Sequence, residues 1–491
     1  MSHRNFRKLA LGAAALAMLA PLAAPVAQVG GGTVQAISAK DKQEGAKAHP
    51  QLLAEFGGAL TGPQATYVET IGKNVAVHSG LSNARGDFTV SLLNSSVNNA
   101  FAVPGGYIYT TRQLVALMNN EAELAGVLGH EVWHVVARHS NKRQSAATKN
   151  TVIGAGLAIL SGVLLGNSQV GQVLQQGFLQ GSQLLTLKYS RSQETEADNG
   201  GILLLRKAGY DPRAMSTVLQ NLANQNALDA QLMGTNDRVP AWASTHPDPA
   251  SRVKAALAQA GAGAKGVTNR DTFLARINGL TYGDDPKQGV VEGRKFIHPD
   301  LKLAFEAPAG FYLMNGSDAV TIGGQSGKGQ FATGQFNGDL DAYIRAAFAG
   351  LTSQGQAAID PGTIARTTVN GVPAAYGTAR VNNGSSQVDV TVFAYQFDAN
   401  TAYHFLTVVQ AGGADVFTPM YQSLRRITVA EAVAVKPRKL VVVTVKKGDT
   451  VASLAGRMAY ADAQQQRFQV LNGLAAGSTL AVGQKVKLVT Y

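Results

Sequence analysis

The stretch "LAGVLGHEVWHVVARHS", Leu124–Ser140, sets three histidines and a glutamate inside an apolar run. Leu124, Val127, Leu128 and Val135 follow the helical period, and Asn120 with Glu123 supplies a capping-box-like start, so the spacing predicts a helix with the histidines near its middle. Side chains four apart share a face. His130 and His134 therefore project side by side, with Glu131 one step round. This is the spacing of two metal ligands with an acid beside them.

On the N-terminal side, "FTVSLLNSSVNNAFAVPGGYIYTT" (88–111) carries β-branched and aromatic residues, punctuated by Pro104, Gly105 and Gly106 as a hairpin turn. Its segment Asn99, Ala100, Phe101, Ala102 and Val103 reads as a strand edge on which an extended peptide can pair. On the C-terminal side, "YSRSQETEADNGGILLLRKAGYDP" (189–212) predicts a second helix, capped by Ser190 or Ser192 and stopped by a Gly and a Pro. Glu194 and Asp198 lie on one of its faces. Alone, such carboxylates are usually a solvated face. Set about 60 residues after a His-Glu-x-x-His helix, they become the source of a third ligand.

Zinc takes neutral imidazoles and a carboxylate at roughly 2.0–2.2 Å and, in catalytic sites, leaves one position to water. It brings the pKa of that water down toward about 7, and Glu131 is placed to take the proton as a peptide carbonyl is attacked, then to give it to the leaving amine. The chain has no cysteine, which excludes thiolate zinc sites and disulfides. Its 491 residues, 45% hydrophobic, predict several folded domains.

The first 27 residues combine Arg4, Arg7 and Lys8 with an Ala/Leu run and small residues, the layout of a secretory signal peptide. Pro21 and Pro25 interrupt the run and argue against the rival reading, an uncleaved anchor. Removing the three basic leader residues from a net charge of +12 leaves +9, which suits an anionic envelope surface better than nucleic acid.

In family order, "NAFAVPGGYIYTTRQL", "NEAELAGVLGHEVWHVVARHS", "SRSQETEAD", "AGYDPRAM" and "STHPDPASRV" resemble the zinc metallopeptidases that include HtpX, the CAAX prenyl proteases and the periplasmic BepA-like enzymes. The likeness covers Thr66 to Ala255. It implies a gluzincin-type site with one Zn2+ per chain held by His130, His134 and Glu194, with Glu131 as general base and Asp198 orienting a ligand histidine. The BepA-like branch fits best, because no clear membrane span interrupts the domain. Two further residues are candidates for catalysis: His246, in a Pro-flanked loop, either covers the open zinc position, stabilises the oxyanion or packs the loop, and Arg252 is a second oxyanion candidate. His139, five residues past His134, falls on another helix face and reads as a helix-end histidine outside the site.

The expected architecture is multidomain: a mainly α metallopeptidase domain with a small β-sheet over residues 38–265, a linker over 266–295, and an α+β domain over 296–432 with a faint resemblance to PsbP-like domains. Residues 440–491 form a small βααβ module. "TVKKGDTVASLAGRM", "FQVLNGL" and "GSTLAVGQKVKLV" in this tail resemble a LysM domain, with Gly448-Asp449-Thr450 and Asn472-Gly473 as its turn landmarks. LysM domains bind N-acetylglucosamine chains, so the tail is expected either to bind peptidoglycan or to dock a partner. "TVIGAGLAILSGVLLG" (151–166) is short for a membrane span and predicts a buried helix or contact with a membrane surface. The resulting expectation is a periplasmic or otherwise exported zinc endopeptidase acting on misfolded envelope proteins. The alternatives are a peptidoglycan-bound scaffold or chaperone with a latent zinc site, and a cell-wall peptide hydrolase.

Overall fold

The computed structural model describes residues 26–29, 32–139, 189–233, 246–261, 263–351, 359–382 and 387–491. Most of the expected leader, and the whole apolar run Thr151–Gly166, lie outside these residues. Among the described residues no helix is long and apolar enough to cross a membrane.

The helix predicted from the histidine spacing runs from Glu121 to Val136, and of its residues only Trp133, Val135 and Val136 are not buried. A helix buried nearly all round is a core helix. Its N-terminus is pinned by polar groups. The Asn120 side chain accepts from Glu123 N at 2.9 Å, while the Glu123 carboxylate takes the N–H of Asn119 at 2.7 Å, one residue before the position a capping box would use. Thr217 and Asn221 also bond Glu123, and Glu121 receives the hydroxyls of Tyr67 and Tyr210. Buried carboxylates with this many donors fix the helix axially.

A second helix, Arg191–Lys207, starts on a capping box of Ser190 with Gln193, and lies against the first. Their approach depends on glycine. A Cβ at Gly200 would sit 1.8 Å from the Trp133 ring, and one at Gly201 would sit 3.1 Å from the His130 nitrogen. No side chain fits there: the Trp133 ring packs on the Gly200 backbone, the backbones approach closely at Gly201, and the first turn of one helix faces the histidines of the other.

Beside them, Thr89–Leu93 pairs in parallel with Tyr107–Thr111, and Ala100–Val103 pairs antiparallel on the other side of the latter, as an edge strand. The hairpin turn places Gly105 and Gly106 at φ +96° and +88°, where a Cβ on Gly106 would lie 2.2 Å from the Asp87 carbonyl oxygen.

The expected linker over 266–295 is corrected by the structure. Arg270–Ile277 is a helix that buries Phe273, Leu274 and Ile277 in the core of the metal-helix domain, and Thr281–Tyr282 is a strand paired to the C-terminal module. Gly279 and Gly283 take positive φ between packed pieces, Asp284 and Asp285 bond to Ser96 and Asn94, and Pro286–Gln288 is a short 3-10 helix. The middle region holds a seven-stranded antiparallel sheet, a four-stranded sheet, and the helix Leu340–Ala349, which packs on one face of the larger sheet.

The tail has the expected βααβ order: Arg438–Thr444, Val451–Ala455, Gln464–Leu471 and Lys485–Thr490. Its Leu440, Leu454, Phe468 and Leu488 belong to the same hydrophobic cluster as the metal helix. Lys487 is fully buried, and its ammonium donates to the carbonyls of Ala116 and Met118 at 2.8 and 2.6 Å, just before the metal helix begins. Burial lowers its pKa to about 7 against the opposing pull of Glu123. Replacing Lys487 with Ala removes these bonds and leaves two buried carbonyls without their donor, so we expect a loss on the order of 3 kcal/mol, read from urea unfolding of the full chain. An unchanged midpoint would mean that the tail is not anchored through this residue.

Candidate metal centre

Four buried side chains converge where the two helices face each other. His130 Nε2 and His134 Nε2 are 3.0 Å apart, and Glu194, in the first turn of the facing helix, lies 3.7 Å from the first and 3.4 Å from the second. His246 Nδ1 is 3.3 Å from His130 Nε2 and 3.0 Å from Glu194 Oε1. All four ligand atoms lie within 4.8 Å of one another. Ligands held at about 2.0–2.1 Å in a tetrahedron are separated by about 3.3–3.4 Å, so this donor set of three imidazoles and a carboxylate fits zinc. Burial pushes the His134 imidazole well below its ordinary pKa, which keeps it neutral, as a ligand must be. Burial alone would raise the Glu194 carboxyl, but the facing His246, His134 and Arg252 outweigh it and hold it well below the usual range.

Residues 63–260 match Peptidase family M48. This segment is an M48 peptidase domain. Residues 443–489 match the LysM domain. The beta-barrel assembly-enhancing protease of Yersinia pestis is 33% identical over 190 residues, 38% of this chain and 37% of that protein. The mitochondrial metalloendopeptidase OMA1 of Arabidopsis thaliana is 36% identical over 189 residues, 38% of this chain and 35% of its own length. The OMA1 of Schizosaccharomyces pombe is 30% identical over 220 residues, 44% of this chain and 59% of that protein. The chain thus spans little more than a third of the first two relatives' length.

Within the M48 domain, Glu131 is fully buried beside the cluster, with His246 Nε2 3.5 Å from its Oε1. Asp198, one turn beyond Glu194, has its Oδ1 3.0 Å from His130 Nδ1. Arg252 is not free to meet an oxyanion, as the sequence suggested. Its Nε and Nη2 donate to Asp198 at 2.7 and 2.6 Å and its Nη1 donates to Glu194 at 2.5 Å, which makes it a clamp on the two carboxylates.

His139 is the residue that helix geometry misplaced. The helix ends at Val136, and Arg138 takes φ +53°, turning the chain back so that His139 Nδ1 lies 2.8 Å from His134 Nδ1 and its Nε2 3.2 Å from Glu196. Fully buried, it meets His134 at Nδ1, the ring nitrogen turned away from the cluster, as Asp198 meets His130. The Tyr189 ring stacks on His134 at 3.6 Å between centroids.

The edge strand flanks this domain with all four side chains buried. Thr111 N donates to Asn99 O, so by antiparallel alternation Phe101 also bonds inward and the N–H and C=O groups of Ala100 and Ala102 point away from Tyr107–Thr111, with Ala100 fully buried and Ala102 8% exposed. The buried Oδ1 atoms of Asn98 and Asn99 lack a hydrogen-bond partner among the described residues.

Proposed function

We propose that the chain is an exported zinc endopeptidase that cuts unfolded polypeptides of a bacterial cell envelope, with the LysM domain holding it at peptidoglycan. The observation that carries this reading is the convergence of His130, His134 and Glu194 beside the buried carboxylate of Glu131. Zinc held there would polarise the scissile carbonyl and acidify water. Glu131 accepts the water's proton and delivers it to the leaving amine nitrogen. Asp198, clamped by Arg252, orients His130, and His139 does the same for His134. Substrate lies antiparallel to Asn99–Val103, bonded through the outward groups of Ala102. Export rests on the leader-like start, and the envelope setting on the LysM match and on the relatives named as assembly-enhancing proteases.

The full chain, loaded with zinc, is incubated with an unfolded protein and with purified peptidoglycan. Cleavage of the protein alone, abolished by chelation, is the expected result. Release of wall peptides without proteolysis would make it a wall hydrolase. Cleavage of neither, by wild type or by a variant lacking His246, would make it a scaffold.

Replacing Ala102 with Pro removes an N–H that points away from Tyr107–Thr111, so the sheet keeps its ladder while the substrate loses one bond. Peptide turnover should fall about tenfold with zinc content unchanged. Equal turnover would place the substrate elsewhere.

A further inference from the structure

The middle region has a role that its apolar core does not explain. In the larger sheet, Val320, Phe331 and Phe405 point to one face and are buried in an aromatic-rich core. The alternate residues point to the other face, where Ala319, Thr321, Gln330, Ala332, His404 and Leu406 form the floor of a cavity of about 590 Å³. That volume is in the range of ligand sites. One wall is the helix Leu340–Ala349, through Ala346 and Ala347. Asn94, Ser95, Ser96 and Val97 of the M48 domain also line it, as a second wall.

Three bonds fix this second wall to the segment entering the middle region. Ser96 donates to Asp284 at 2.6 Å, Asn94 donates to Asp285 at 3.1 Å, and Gln288 donates to the Asn94 carbonyl at 3.3 Å. The cavity is therefore built by both regions. On its floor, His404 is buried with its Nδ1 2.8 Å from the Tyr343 hydroxyl, and its other ring nitrogen has no partner among the described residues. Burial lowers its pKa to about 4, so it is a neutral donor or acceptor. Among the described residues no lysine or arginine lines the cavity, and the carboxylates there are Glu55 and Asp318. Amides, hydroxyls and a neutral imidazole suit an uncharged chain rich in N–H and C=O groups, and the carboxylates disfavour an anion.

The 94–97 wall runs without a break into Asn98–Val103. A substrate antiparallel to that strand has its C-terminal side leaving past Ala100 and Asn99, toward this wall. We propose that the cavity is a second binding site, which grips the stretch of substrate polypeptide on the C-terminal side of the cut. This inference rests on the endopeptidase reading and on the antiparallel seating of substrate. It makes the middle region a selector of substrates with an unfolded extension on that side.

The test uses the zinc-loaded full chain and three peptides with one scissile sequence: a short one, one extended by a neutral Ser/Thr/Gln arm at its C-terminus, and one extended at its N-terminus. The C-terminal arm should lower KM about tenfold and the N-terminal arm should not. Ala332→Arg, which fills the floor, and Gln330→Lys should each remove that gain while leaving turnover of the short peptide as in wild type. The labelled C-terminally extended peptide should also bind Glu131→Gln and lose affinity when Ala332→Arg is added. Equal benefit from both arms, benefit from the N-terminal arm alone, or a gain that persists in both cavity variants would overturn the proposal. So would binding of a labelled peptidoglycan fragment that Ala332→Arg abolishes while peptide binding survives. Failure to cut the short peptide would instead count against the endopeptidase reading, because that peptide does not reach the cavity.

Discussion

Glu131→Gln should leave zinc stoichiometric and lower turnover by about 10²- to 10⁴-fold, the range expected when a general base is removed. Gln keeps the shape of the side chain but cannot accept the proton. His130, His134 and Glu194 are untouched, so metal analysis and a casein assay on the same preparation separate the two effects. Glu194→Ala should give the opposite pattern, with zinc lost first, because the carboxylate facing both Nε2 atoms disappears. Near-normal hydrolysis by Glu131→Gln would remove Glu131 from the mechanism.

The second large effect has the opposite sign. His246→Ala should raise basal cleavage about 5- to 150-fold, as expected for a closed state favoured by about 1–3 kcal/mol. The geometry supports a latch. His246 Nδ1 lies 3.3 Å from His130 Nε2 and 3.0 Å from Glu194, and its Nε2 lies 3.5 Å from Glu131, so with zinc bound one ring would fill the fourth position and face Glu131 at once. If the imidazole instead donated to an oxyanion, its loss would cost on the order of 10²–10³ in turnover. Proteolysis measured at equal zinc loading decides by sign, and no change would return His246 to loop packing.

The metal helix was legible because two local rules agreed there: the apolar period gave the helix, and the i, i+4 spacing set His130 and His134 side by side. By the same logic Glu194 and Asp198 share one face of the second helix. What the sequence hid is what depends on chain reversal or distant packing. His139 returns to His134 only because Arg138 adopts a left-handed conformation, and no periodicity announces that. Arg252 looked available because its carboxylate partners are 54 and 58 residues away. Phe273, Leu274 and Ile277 looked like part of a tether because the glycines around them were easier to read than one short apolar face. The floor of the middle cavity depends on which strands lie side by side, and Ala332 meets His404 across 72 residues of chain.

The burial of Lys487 changes how an anchored version of this molecule would behave. A module on a flexible tether sweeps a volume, and its catalytic partner samples many distances from the anchor. Here a lysine of the tail grips the backbone that opens the metal helix, and Gly473 sits so close to Asn119 and Asn221 that a Cβ would lie 3.0 Å from one and 3.1 Å from the other. The tail is a bracket rather than a leash. Held to a wall through its exposed Gly448-Asp449-Thr450 side, the chain would present its cleft at one standoff and one orientation. Its targets would be set by what protrudes to that height, and lengthening the chain between Ala434 and Arg438 would do little to extend its reach.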